Sequence, residues 1–133
     1  MKFLVVLSLF AMLALFSCSK GSVKELDAFI GAKDEILSAW AKELDTNPTE
    51  AGVDNMRKSF ESKKADLIAK REAVEKAGVS GNSLNRLLDS EEMDRKMLDA
   101  MGSKLSSAPS AAGEKFRALR RDYETAVKRP GTI

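Results

Sequence analysis

The chain has 133 residues, 44% hydrophobic and 32% charged, with 22 lysines and arginines against 20 acids and a formal net charge of +2. That length suits one small domain, and the near balance of charge gives no general attraction to nucleic acid or acidic substrates. Histidine is absent and cysteine occurs once, which excludes a histidine-based triad, a histidine metal site and any internal disulfide.

The first element reads as an export signal. Lys2 precedes an apolar run over residues 3–16, and Ser17, Cys18 and Ser19 follow it. This run of 14 residues falls short of the about 20 that a membrane-spanning helix needs. A positive start, an apolar middle and a small-residue end are the parts of a signal peptide. Leu15-Phe16-Ser17-Cys18 resembles the lipobox of bacterial lipoprotein signals, although Phe16 is bulkier than the residue usual at its place. The resemblance implies removal of residues 1–17, acylation of Cys18 and a tether over residues 18–22. Several acyl chains would hold the protein on a membrane surface. Ser19 resembles the sorting class of the outer membrane, so the implied location is that membrane, facing the periplasm. A second route stays open: cleavage after Ser19, loss of Cys18 with the signal, and a soluble secreted product.

The helical elements follow. Ser22 and Glu25 form a capping box, and Val23, Leu26, Ile30, Leu37, Trp40 and Leu44 recur at helical spacing. Only Lys33 breaks that seam, and the spacing predicts a helix over residues 23–45. Asn47 as N-cap, Pro48 at the first helical position and Glu50 predict a second helix over 48–77, stopped by Gly78. The short link predicts an antiparallel hairpin of these two helices. The seam of the second helix is Val53, Met56, Phe60, Leu67 and Val74, with Lys63, Lys70 and Arg71 intruding beyond Phe60. Either the far half of this helix is less buried, or their long stems lie over the core with the charges outward.

An Asn82-Ser83 cap predicts a third helix over 83–105. Its leucines at 84, 87 and 88 and its later set, Met93, Met97, Leu98, Met101 and Leu105, fall on different faces of an ideal wheel. A kink or restart near Ser90 is therefore expected. Pro109 is expected to open a last helix over 109–128, with Phe116, Leu119, Tyr123 and Val127 inward and Lys128 and Arg129 at its C-terminal dipole. The expected fold is all-α: a small antiparallel bundle of about four helices, in a domain over 23–129 with a tail over 130–133.

Three groups of side chains invite a functional reading. Met93, Met97 and Met101 repeat every four residues and offer either a partner face, a soft-metal face or plain core packing. Arg117, Arg120, Arg121, Lys128 and Arg129 make the last helix locally basic and offer contact with a partner or with anionic lipid. Asp89, Glu91, Glu92 and Asp94 gather near the middle of the third helix but lack the glycine-bent loop of a calcium site. No phosphate-binding glycine motif is present. These readings predict no metal, cofactor, nucleic acid or catalytic residue. They predict a non-enzymatic envelope lipoprotein that binds a protein or the cell wall. The alternative is a soluble secreted carrier with an apolar ligand between its helices. The architecture is similar to that of the major outer-membrane lipoprotein, but that family ends in a wall-linked lysine and this chain in RPGTI, so covalent linkage is not expected.

Overall fold

A computed structural model of the chain describes residues 21–106 and 110–128. They form four helices: α1 (Gly21–Thr46), α2 (Glu50–Ala77), α3 (Asn82–Leu105) and α4 (Ser110–Val127). Each end lies within two residues of its expected position, and among the described residues there is no strand. No helix among them is long and apolar enough to cross a membrane. The export signal, Cys18, Pro109 and Arg129 lie outside the described residues. α1 takes in Gly21 and Ser22, the last two residues of the expected tether.

The helix starts differ from the expected caps for local reasons. Thr49, not Asn47, caps α2, and its side chain accepts a bond from the Gly52 N–H at 3.3 Å. Asn47 instead accepts a bond from the Thr49 hydroxyl, and its own N–H reaches back to Glu43 O. Pro48 therefore precedes the cap. The turn is tight enough that a Cβ on Gly52 would sit 1.9 Å from the Asn47 carbonyl oxygen, so only glycine fits there. At the other end of α2, Gly78 is the stop, with φ of 76° and its N–H on Val74 O. α3 is preceded by Gly81 at φ 59°, with no side-chain cap from Asn82 or Ser83.

α1 packs on α2 and α3, and α4 packs on α2 and α3; α1 lies diagonal to α4, and α2 to α3. Cross-helix pairs fix the directions. Asp27 meets Arg86 and Asp45 meets Lys104, so α1 and α3 run parallel. Lys115 meets Glu50 and Asp54, and Arg57 meets Asp122, so α2 and α4 run parallel. Successive helices alternate in direction, as a bundle of hairpins requires. The link over 78–81 crosses the end of the bundle diagonally. With neighbouring axes 8–10 Å apart, that span is about 13 Å, within reach of a four-residue link.

Asp94–Tyr123 and Asp99–Arg120 set the antiparallel register of α3 and α4. Carried along both helices, it brings the end of α4 level with about Ser90, so the first eight residues of α3 run about 12 Å beyond α4. This end of the bundle is stepped, and it is the end where α1 begins.

The core is one cluster contributed by all four helices. Trp40 is fully buried, meets Phe60 and Tyr123 edge-on at 5.8 and 5.5 Å, and donates its indole N–H to Met56 O. Both parts of its amphipathic side chain are thereby satisfied. Of the cations along α2, Lys63 reaches Glu35 and Lys70 reaches Asp66 with their heads outward as expected, whereas Arg71 is largely buried and donates to Ala126 O near the end of α4.

α3 is one uninterrupted helix over Asn82–Leu105, without the restart expected near Ser90. Its buried line runs Leu87, Asp94, Leu98, Met101, Leu105, at spacings of three, four and seven. The seam never turns; it passes through a charged residue. Leu84 and Leu88 sit on its flank, half-buried and exposed.

Candidate functional site

Lys33 and Asp94 occupy equivalent positions in the seams of α1 and α3 and meet inside the bundle. Lys33 is 1% exposed and Asp94 5%. The Lys33 ammonium lies 2.8 Å from Asp94 Oδ2 and donates to Ser90 Oγ at 2.8 Å. It also lies 5.1 Å from the centre of the Phe29 ring, a cation–π distance. From α4, Tyr123 donates its hydroxyl to Asp94 Oδ2 at 3.2 Å. Asp94 Oδ1 is buried with no hydrogen-bond partner among the described residues.

Taking both charges out of water costs several kcal/mol per ion, and the pair's attraction offsets that only with such added bonds. Burial raises the Asp94 carboxyl above its ordinary value of 3.8, while the Lys33 charge and the Tyr123 bond pull it back. Burial and then the Asp94 charge push the Tyr123 phenol upward. Tyr123 thus stays a donor at any physiological pH.

α3 and α4 approach least closely of the four neighbouring pairs. The groove between them, about 290 Å³, has Asp94, Tyr123, Leu98 and Val127 in its wall, and Glu91, Arg95, Arg120 and Glu124 around it. A second groove of about 290 Å³ lies between α1 and α3, beside Ile30, Asp34, Arg86, Asp89, Ser90 and Met93. The two grooves flank the buried pair. The arrangement holds one ammonium against one carboxylate, with a hydroxyl on each. It is an internal pairing of opposite charges, shielded from solvent.

The sequence-predicted groups fare differently. The methionines do not share a face: Met93 is 58% exposed, Met97 packs at the core margin and Met101 is buried. Steps of four residues rotate by about 40° each on a helix, so the series winds from solvent into the core. The acidic cluster is also divided. Asp94 turns inward to Lys33, Glu92 pairs with Lys96, and Asp89 is exposed. On α4, Arg120 is held by Asp99 and Glu124. Arg117, Arg121 and Lys128 are exposed, with no ion pair among the described residues. Arg71 of α2 donates to the Ala126 carbonyl near the end of α4.

Sequence reasoning missed the Lys33–Asp94 pair, though its signal was available. One seam is broken by a cation and another is interrupted by an anion. Two such breaks of opposite sign in one small bundle point to each other. No protein-family model, no curated protein and no solved structure matches the chain.

Proposed function

We propose that the protein is a non-enzymatic helical module held on the bacterial outer membrane, facing the periplasm, by lipid on Cys18, and that it presents its helix faces to an envelope protein or the cell wall. The observation that carries this reading is the placement of the chain's single cysteine. It ends an apolar run of signal length and precedes Gly21, the first residue of α1, by three positions. An acylated Cys18 would set the bundle against the bilayer with almost no slack. The buried polar groups support a binding or structural role rather than an enzymatic one, because Lys33 and Asp94 neutralise each other away from solvent.

The test is the intact mass of the mature protein from its native host, beside a Cys18→Ala variant. A chain beginning at Cys18 with a diacylglyceryl mass increase, lost in the variant, is the expected result. An unmodified chain beginning at Lys20 would overturn the anchor and put the soluble carrier in its place.

A further inference from the structure

We propose that Met93 is a site of reversible oxidation, at which a hydroperoxide turns the thioether into a sulfoxide, leaves the fold intact and makes the groove between α1 and α3 more polar. The described residues carry this reading, whether or not Cys18 bears lipid.

Exposure separates the methionines sharply. Met93 is 58% exposed, more than Leu88 at 46% or Val23 at 42%. Met56 is 1% exposed, Met101 is 3% exposed, and Met97 is half-buried against the core. A thioether has no proton to lose, so access governs how fast it is oxidised. The register of α1 and α3 explains why Met93 is open. Asp27 and Arg86 are 59 residues apart, as are Asp45 and Lys104, and the same offset sets Asp34 level with Met93. A thioether thus stands where the levels on either side place a cation. Asp34 gives it no ion pair to hold it against α1, and it stays in solvent.

The step needs only the oxidant, a hydroperoxide supplied from outside. The Met93 sulfur attacks one peroxide oxygen, and the S–O bond forms as the O–O bond breaks. Sulfur is oxidised and the peroxide is reduced. The proton of the attacked oxygen passes to the leaving oxygen, which departs as water or an alcohol. The product is uncharged but polar. At Met93 the new oxygen meets water, whereas at Met56 or Met101 it would be a polar group without a partner in the core. The groove beside Met93 is lined by Ile30, Asp34, Arg86, Asp89 and Ser90. Oxidation leaves Ile30 as the one apolar side chain among these described residues, and so changes what this face offers a partner.

The test treats the mature protein, whichever residue it begins with, with hydrogen peroxide and follows each methionine by mass after trypsin. Cleavage puts Met93 alone in residues 87–95, Met97 with Met101 in 97–104 and Met56 in 43–57. In the folded protein Met93 should gain oxygen roughly tenfold faster than Met56 or Met101, in keeping with their exposures, with Met97 between them. In urea all of them should react alike. Protein oxidised at Met93 should melt as untreated protein does, and methionine sulfoxide reductases A and B together should restore the original mass. Met93→Leu should abolish the fast phase and leave the slower ones unchanged. Another methionine reacting as fast as Met93 in the folded protein, a lowered melt after oxidation at Met93 alone, or a sulfoxide that the reductases leave in place would overturn the proposal. The mass of the untreated protein decides the anchor separately.

Discussion

Two levels of the core, about 10 Å apart along α1, are closed by opposite means. At Trp40 the helices meet through aromatic rings and Met56. At Lys33, seven residues earlier, they meet through an ion pair and its hydroxyl partners. The aromatic level stabilises by removing apolar surface from water. The polar level contributes little net stability, because desolvation offsets attraction. It penalises any packing that separates the two charges, since a lone buried charge costs about 3–5 kcal/mol. Apolar seams alone would accept several helix neighbours. The ion pair selects α3 as the parallel neighbour of α1.

The largest effect is expected at the aromatic level. Trp40→Ala removes the side chain that touches both Phe60 and Tyr123 and should cost about 5 kcal/mol, the upper part of the range for such truncations. Urea denaturation gives the value, and a loss below about 2 kcal/mol would show that the rings are not the centre of the core.

Next in size is Lys33→Met, which keeps the volume and abandons Asp94. A cost of about 3 kcal/mol is expected. The informative variant is Lys33→Met/Asp94→Leu, which should return to wild-type stability or exceed it. If the double variant stays as unstable as the single one, the polar level is a source of stability like the aromatic one. Where stability returns, loss of a single well-dispersed NMR spectrum would mark the selection of neighbours as the pair's contribution.

The polar level also has its own pH signature. Burial raises the Asp94 carboxyl above 3.8 in the fold, so the folded chain binds that proton more tightly than the unfolded chain. The penalty for ionised Asp94 is fully present above the raised value. It fades as pH falls through that value, and it is gone below 3.8. Wild-type stability minus that of Asp94→Asn should therefore increase between pH 7 and pH 4. A decrease over that window would mean that the Lys33 charge outweighs burial.

The contrast also explains how far the sequence could be read. The aromatic level was legible because Trp40, Phe60 and Tyr123 lie on apolar stripes of helical period, and the four helices followed from the same stripes. The polar level was misread because periodicity treats a charge in a seam as an interruption. Lys33 looked like a gap, and Asp94 looked like one acid among four. The break it makes in the α3 pattern suggests a kink or restart, whereas the helix runs uninterrupted from Asn82 to Leu105. The cap of α2 moved from Asn47 to Thr49 for a different reason. The choice depended on how closely Gly52 approaches the Asn47 carbonyl, a distance no composition rule contains. The stepped end was out of reach altogether, because it depends on the register of α4 against α3.

The smallest prediction concerns the one side chain that belongs to both levels. The Tyr123 ring packs on Trp40 and Phe60, and its hydroxyl reaches Asp94. Tyr123→Phe keeps the ring and removes only the bond to Asp94 Oδ2, which retains Lys33. A bond to a charged group contributes about 1.5–3 kcal/mol. With the lysine still present and a bond of 3.2 Å, the lower end, about 1.5 kcal/mol, is expected. A double-mutant cycle with Asp94→Asn should recover most of that value as coupling, whereas a cycle of Tyr123→Phe with Trp40→Phe should give nearly none. Comparable coupling in both cycles would mean that the two levels act as one network. The division between a level that stabilises and a level that selects would then be an artefact of their spacing along α1.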